Sequence, residues 1–215
     1  GVYTIQLQMT VPGSRKPAGQ EDNNLSYVNL NVGPGELEWF GVEEQHWGSL
    51  KSLCEKHNVN YLTGPWWPVL EELMDNDIPV YRFQQSPGDL VWVNSGTIFW
   101  AQSVGWCNSI SWNLGTLSPL QYSLALERYE YSKFSSVKSK LPMITLSWNL
   151  AANLRISDSK LWDQIRLVLM RSLYHNILWT ENLRTTKGGK SESEIFKPFN
   201  AALMQDPSSP FCADC

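Results

Sequence analysis

Few residues in this chain could ligate a metal or act as a nucleophile, and they lie far apart in the sequence. The 215 residues include three histidines, His46, His57 and His175, and four cysteines. We expect each histidine on or beside a helix, as a surface residue rather than a ligand. Cys54 and Cys107 are expected to be buried thiols that pack as small hydrophobic residues. This scarcity of histidine weighs against an enzyme.

The other two cysteines, Cys212 and Cys215, form a Cys-x-x-Cys pair at the end of the chain. A structural zinc ion is held by four ligands, so this pair supplies half of such a site. Either the pair is a frayed terminus, or the full protein continues with a second pair that completes the site. The chain starts at Gly1 and a strand-like alternation follows at once, so we expect a fragment that begins inside a domain.

Composition restricts the classes of protein to which the chain can belong. Apolar residues make up 42% and charged residues 18%, so we expect a folded, aromatic-rich core rather than a disordered chain. The net charge of −4 gives no general attraction for nucleic acid or anionic membranes. Apolar runs are far shorter than the roughly 20 residues of a transmembrane helix. Four scattered cysteines also predict a reducing, intracellular compartment rather than a secreted disulfide framework.

Short β-type runs separated by glycine and proline dominate the chain up to about Gly115, and they favour a sandwich or barrel. The predicted strands are 2–10, 25–32, 36–42, 79–85, 89–95 and 97–113. Pro87-Gly88-Asp89 predicts a turn between the strands 79–85 and 89–95, because proline presets φ and glycine permits a positive φ. Two helices, 43–57 and 65–76, are expected as insertions on this β core.

Beyond Gly115 the strand alternation stops. Residues 118–131 and 157–186 are expected to be helical, the second with Ser157 or Asp158 as its N-cap. The sequence therefore predicts a β core over residues 1–116, incomplete at its N-terminus, and a helical extension over residues 117–206. Residues 207–215 are expected to begin a truncated zinc-binding module.

Several separate motifs in the sequence resemble those of one family. They are Val80-Tyr81-Arg82-Phe83, Pro87-Gly88-Asp89-Leu90-Val91-Trp92, Gly96-Thr97, Gly105-Trp106-Cys107-Asn108 and Trp112-Asn113. Together they resemble the JmjC domain, a double-stranded β-helix of the cupin, jelly-roll type. The resemblance narrows to the UTX/UTY subfamily of histone H3 lysine-27 demethylases through Gly33-Pro34-Gly35, Trp66-Trp67-Pro68 and Glu127-Arg128-Tyr129-Glu130. In that subfamily a Cys-x-x-Cys pair at the place of Cys212 and Cys215 begins a GATA-like zinc site.

The resemblance implies an Fe(II) oxygenase that uses 2-oxoglutarate and O₂ to hydroxylate a methyl group on lysine, which then leaves as formaldehyde. In that family two histidines and one carboxylate hold the iron. The family's His-x-Glu unit matches Gly19-Gln20-Glu21, and its second histidine matches Phe99. Glycine and phenylalanine offer no donor atom, so Glu21 is the one remnant iron ligand.

The positions that bind 2-oxoglutarate in the family are also altered. The family's lysine that pairs with the far carboxylate matches Thr10, which removes a charge-assisted bond of about 1.5–3 kcal/mol. Of the polar residues in this pocket only Asn29 persists. The substituted positions are Lys16, Tyr27 and Ser109, with Gln8 in place of the tyrosine that cradles the methylammonium group. Lys16 could still offer a displaced positive charge to an anion.

Two functions are consistent with this pattern. The framework of tryptophan, glycine and proline agrees with the family, whereas nearly every position that faces the reaction differs. The first function is therefore a catalytically silent, nuclear JmjC protein that binds the histone H3 tail or subunits of a chromatin complex. It would bind no iron, and zinc only if the protein continues past Cys215. The alternative is an active Fe(II)/2-oxoglutarate-dependent demethylase of trimethylated lysine 27. Neither a membrane nor a specific nucleic-acid sequence is expected as a partner.

Overall fold

The computed structural model describes residues 4–60 and 63–186. Its strands are β1 (Gln6–Thr10), β2 (Arg15–Gly19), β3 (Ser26–Pro34), β4 (Leu37–Val42), β5 (Tyr81–Gln85), β6 (Leu90–Val93), β7 (Ile98–Ser103) and β8 (Cys107–Leu114). They form two four-stranded sheets with the strand orders β1-β8-β3-β6 and β2-β7-β4-β5. All neighbouring strands are antiparallel. This arrangement confirms the predicted mainly-β fold of the jelly-roll type.

The strand pattern differs from the prediction in two places. The run 97–113 is two strands, because the chain turns at residues 104–106 and passes from one sheet to the other between β7 and β8. β2 is absent from the predicted strands, since Pro17 and Gly19 both lower strand propensity. It lies at the edge of its sheet and pairs with β7, which is where proline is tolerated in a strand.

The turn Pro87-Gly88-Asp89 joins β5 to β6 as predicted. Gly88 has a φ of +93°, which glycine adopts without strain. Asp89 Oδ2 accepts a hydrogen bond of 2.9 Å from the Ser86 amide and closes the turn. Because β5 and β6 belong to different sheets, this turn carries the chain across the barrel.

Both predicted insertions contain a helix that is shorter than expected. α1 spans Trp47–Lys56 and is preceded by a 3-10 turn at Glu44–His46, and α2 spans Leu70–Asp75. The second helix was predicted from residue 65, with Pro65 and Pro68 in its first turn, but both prolines precede α2. The residue before a proline is disfavoured in helical conformation, which delays the start of the helix. Leu50 of α1 and Leu73 of α2 are fully buried and pack in one cluster with Trp100 of β7.

A separate apolar cluster fills the space between the two sheets. It consists of Tyr27, Leu37, Trp39, Val91, Val93, Phe99, Ala101 and Cys107. These residues come from strands of both sheets and alternate with outward-facing positions, as a β-barrel requires. Phe99, which matches a metal ligand of the family, is thus part of the hydrophobic core.

Up to residue 186, three helices follow the sheets: α3 (Pro119–Phe134), α4 (Met143–Asn153) and α5 (Ser159–Thr186). Of the two candidate caps for α5, Asp158 is correct, because its Oδ1 accepts the Leu161 amide at 3.0 Å. α4 is absent from the predicted helices. The chain divides into two compact units between Leu141 and Pro142. No helix within the described ranges combines the length and the apolar composition needed to cross a membrane.

Candidate functional site

The three positions that match the iron ligands of the family come together in the fold. Gly19, the last residue of β2, is the register partner of Phe99 in β7. Glu21 lies two residues after the end of β2, just ahead of a 3-10 turn at Asp22–Asn24. Contacts through the side chain of Lys16 link Glu21 to Phe99. The sequence thus identified neighbouring positions, although two of the three carry no ligand atom.

Lys16 places its ammonium at the centre of this group. Its Nζ lies 3.0 Å from Glu21 Oε1 and 4.1 Å from the ring centroids of both Tyr27 and Phe99. Both rings therefore stabilise the cation through their π faces. The Lys16 side chain is 36% exposed and that of Glu21 is 18% exposed, so water screens this pair less than a pair on the open surface.

Both oxygens of Glu21 have partners. Oε1 pairs with Lys16, and Oε2 accepts a hydrogen bond of 3.0 Å from Asn113 Nδ2. Asn113 belongs to the Trp112-Asn113 motif of the resemblance, but it was not among the predicted site residues. The available signal was its place on β8, where residues 107, 109 and 111 are buried, so that alternation directs residue 113 to the same side.

Phe99 is 2% exposed and packs between two other aromatic side chains. Its ring centroid lies 5.2 Å from that of Tyr27 and 5.8 Å from that of Trp39. These separations are typical of attractive aromatic pairs. Burial of such a ring stabilises the fold by about 1.5–3 kcal/mol. Phe99 therefore contributes to core packing at the position where the family has its second iron-binding histidine.

A cavity of about 130 Å³ lies next to this group. Its lining contains every position that matches the cosubstrate pocket of the family, namely Thr10, Lys16, Tyr27, Asn29 and Ser109, together with Gln8, which matches the tyrosine beside the methylammonium group. Asn29 Nδ2 donates to Ser109 Oγ at 3.2 Å, whereas Asn29 Oδ1 is buried and has no hydrogen-bond partner among the residues that the structure describes. Thr10 Oγ1 accepts from Ser103 Oγ at 2.6 Å. The pocket positions predicted from the sequence therefore share one cavity.

The residues around Glu21 do not suit an Fe(II) ion. A site with two histidines and one carboxylate requires two imidazole nitrogens, and neither Gly19 nor Phe99 has a lone pair to donate. The ammonium of Lys16 has no lone pair either, and its charge repels a metal cation. Among residues 4–60 and 63–186, no three side chains of histidine, cysteine, aspartate or glutamate are grouped so that they could hold a metal.

The remaining candidate residues lie elsewhere. His46 ends the 3-10 turn before α1, His57 follows α1, and His175 lies in α5. Burial raises the pKa of the Cys54 thiol to about 11 and also raises that of Cys107, so neither thiol is set up as a nucleophile. Cys212 and Cys215 lie outside the described residues.

Comparison with known families gives two matches, which cover successive parts of the chain. A model of the JmjC domain, a hydroxylase, matches residues 6–114. A model of the C-terminal helical domain of lysine-specific demethylase 6/UTY matches residues 121–176. The first match covers the two sheets described above, and the second covers α4 and most of α3 and α5.

Two individual proteins of this kind align with the whole chain. The chain is 47% identical to lysine-specific demethylase 6B of Homo sapiens over 215 residues. It is 32% identical to lysine-specific demethylase jmjd-3.1 of Caenorhabditis elegans over 236 aligned positions. It spans 13% of the length of the first protein and 22% of the second, so it corresponds to a small part of each.

Proposed function

Because the chain belongs to the JmjC family and, within it, to the lysine-specific demethylase 6/UTY subfamily, we propose that it is a catalytically silent module that binds chromatin or a chromatin complex. Members of this group act on lysine 27 of histone H3. The partner of this chain is then the H3 tail or a subunit of a chromatin complex, and its place is the nucleus. In this proposal the chain consists of the β core at residues 1–116, the helical extension at residues 117–206 and the start of a zinc-binding module at residues 207–215.

The observation that carries the proposal is the ion pair between Lys16 and Glu21. The remnant carboxylate is held by an ammonium at 3.0 Å and by Asn113, and two aromatic rings enclose the ammonium. A bound metal would have to displace this cation from its partners. The chain's own side chains therefore neutralise the carboxylate that iron neutralises in the family.

The cosubstrate pocket supports the same proposal. Tyr27 and Thr10 both line its cavity of about 130 Å³, and Thr10 offers a hydroxyl where the family has a lysine. That hydroxyl is already hydrogen-bonded to Ser103. A dicarboxylate such as 2-oxoglutarate would lose both its metal contact and its charged anchor. Zinc belongs to the proposal only as a ligand of Cys212 and Cys215 in a longer chain.

A combined activity and metal-binding assay tests the silent function. The purified chain is incubated with Fe(II), 2-oxoglutarate, O₂ and an H3 peptide trimethylated at lysine 27, and the peptide is followed by mass spectrometry. We expect no loss of methyl groups, and no stoichiometric Fe(II) binding in a parallel titration. Turnover together with stoichiometric iron would establish the active demethylase instead.

Calorimetric titration with unmodified and trimethylated H3 peptides tests the binding function. We expect saturable binding that does not require Fe(II) or 2-oxoglutarate. The matched control is a peptide of the same composition in scrambled order. Equal heats for the H3 and scrambled peptides would contradict an H3-specific module and leave chromatin-complex subunits as the partner class.

A further inference from the structure

Helix α5 has two apolar sides, and one of them is exposed to solvent. On the buried side, Leu161, Ile165 and Val168 recur at steps of three and four residues and are at most 5% exposed. Ser172 continues the same side one turn further, and its Oγ accepts a hydrogen bond of 3.5 Å from Trp148 Nε1 of α4. The buried side of α5 is therefore the side along which α4 lies.

The exposed apolar side of α5 is formed by Met170, Leu173, Tyr174 and Ile177, which are 46–64% exposed. We call these four residues the outer stripe. At about 100° per residue they fall within one strip about 100° wide, and its centre lies roughly 160° around the helix from the buried side. A helix on the surface of a protein normally has one apolar strip, so a second strip indicates a contact with another surface.

The outer stripe can pair with itself, because Leu173 and Tyr174 lie at its middle. Two α5 helices can run antiparallel with Leu173 of one copy opposite Tyr174 of the other. Met170 of each copy then lies opposite Ile177 of the other copy. Every residue of the outer stripe thus meets an apolar residue across the pair, as in the seam of a coiled coil.

Charges at the two ends of the outer stripe fit the same alignment. Asp163 and Arg166 precede the stripe on the same side of the helix and form an ion pair of 3.4 Å. Glu181 and Arg184 follow the stripe on that side. The antiparallel alignment sets Arg166 of one copy against Glu181 of the other. It also sets Asp163 against Arg184, so opposite charges meet at both ends.

A parallel alignment lacks this complementarity. In a parallel pair in register, each charged residue would lie against the same residue of the other copy, and like charges repel. The charges that flank the outer stripe therefore favour a second copy of this chain in the antiparallel direction.

We propose that the outer stripe binds the outer stripe of a second copy, so that two chains form a two-fold symmetric dimer through α5. From Asp163 to Arg184 the helix is about 32 Å long, so the contact is at the small end of specific interfaces. The dimer is accordingly weak, with a Kd of roughly 1–100 μM. The contact uses no residue of the degenerate iron centre, and it is independent of whether the chain has demethylase activity.

Sedimentation equilibrium of the unaltered chain tests the dimer. The concentration should run from about tenfold below to about tenfold above the expected Kd. A reducing agent is present so that cysteine oxidation cannot link two copies. We expect a reversible equilibrium between monomer and dimer. A chain that stays monomeric at the highest concentration would overturn the proposal.

Exchange of the end charges tests the alignment. Arg166→Glu and Glu181→Arg, each made alone, bring like charges together and should weaken dimerisation about threefold to tenfold. The double variant restores opposite charges across the pair, so its Kd should return to within about twofold of that of the unaltered chain. A double variant that dimerises no better than the single variants would contradict the antiparallel pair.

Leu173→Glu tests the apolar contact, because it places a charge at the middle of the outer stripe. It should raise the Kd at least about tenfold. The matched control is Trp179→Glu, since Trp179 is 57% exposed but lies on the other side of α5. It should leave the Kd unchanged, and equal effects of the two variants would overturn the proposal. Circular dichroism checks that both variants keep their helices. If Leu173→Glu fails to fold, the charge exchange at the exposed residues Arg166 and Glu181 still decides.

Discussion

At the residue scale, Lys16 explains how a carboxylate can remain at Glu21 when both neighbouring ligand positions lack a donor. Glu21 is only 18% exposed, and a carboxylate that is shielded from water needs a compensating charge. Lys16 supplies that charge, while Tyr27 and Phe99 stabilise the lysine. The four side chains form one unit, so restoring a single iron ligand leaves the competing cation in place.

This unit predicts the order in which metal binding can be restored. We expect Gly19→His with Phe99→His to bind Co²⁺ weakly, and addition of Lys16→Thr to tighten binding at least about tenfold, because a unit charge beside the metal is removed. A side chain fits at Gly19, since a Cβ there meets no atom within 4 Å. Visible absorption of Co²⁺ measures the affinity.

The control for this series is the double variant with Lys51→Thr in place of Lys16→Thr, because Lys51 lies on α1 and pairs with Glu55. Equal affinities of the two triple variants would show that Lys16 does not compete with metal. We expect little turnover from any of them, because Thr10 and Ser109 still lack the family's contacts to 2-oxoglutarate.

At the scale of strands and sheets, Gln85 joins the two halves of the barrel. This residue of β5 is 1% exposed; its Oε1 accepts from Trp39 Nε1 at 2.8 Å, and its Nε2 donates to Asn29 O and Asp89 O. Gln85→Leu leaves these groups unpaired, so we expect a loss of about 2–4 kcal/mol in the free energy of unfolding. Urea denaturation measures this change.

The control is the exposed neighbour Gln84. Its change to leucine should shift the free energy of unfolding by less than about 0.5 kcal/mol. Similar losses in both variants would contradict the role of Gln85.

Glu72 links α2 to the end of α1 and gives this contact a pH dependence. Its carboxylate lies 2.7 Å from His57 Nε2 and 3.1 Å from Lys56 Nζ, and these hydrogen bonds lower the pKa of Glu72 below its usual 4.5. A carboxyl group whose pKa is lowered in the folded chain stabilises the fold at pH values above its pKa in the unfolded chain. That contribution is lost as the pH falls through the pKa of the folded chain.

We expect Glu72→Gln to be less stable than the unaltered chain at pH 7. The difference should shrink below about pH 4.5, whereas Glu71→Gln should show no such trend. Urea midpoints across the pH range would measure it, and a constant difference would contradict the linkage.

At the scale of the whole molecule, the architecture followed from local patterns and the site chemistry did not. Alternation and the Pro87-Gly88-Asp89 turn predicted most strands. The pattern hid the turn at residues 104–106, because alternation continues through it, and it hid β2, which depends on pairing with β7. Lys16, Glu21 and Asn113 show the same limit, since Asn113 lies 92 residues beyond the carboxylate to which it donates. Only the folded register brings such partners together.

A barrel that carries its own cation should be stable without metal. A ligand that binds only the native state raises its stability by RT ln(1 + [L]/Kd), so a chain without a site shows no shift. We expect the Tm of the unaltered chain to change by less than about 1 °C when excess Mn²⁺ and 2-oxoglutarate replace EDTA. The Tm of the Gly19→His, Phe99→His, Lys16→Thr variant should rise by several degrees. For a chain of this size, each kcal/mol of added stability raises the Tm by about 4 °C or less. Differential scanning calorimetry measures both proteins. A dose-dependent rise in Tm for the unaltered chain would mean that Glu21 holds a metal despite Lys16, and the silent function would then fail at its central premise.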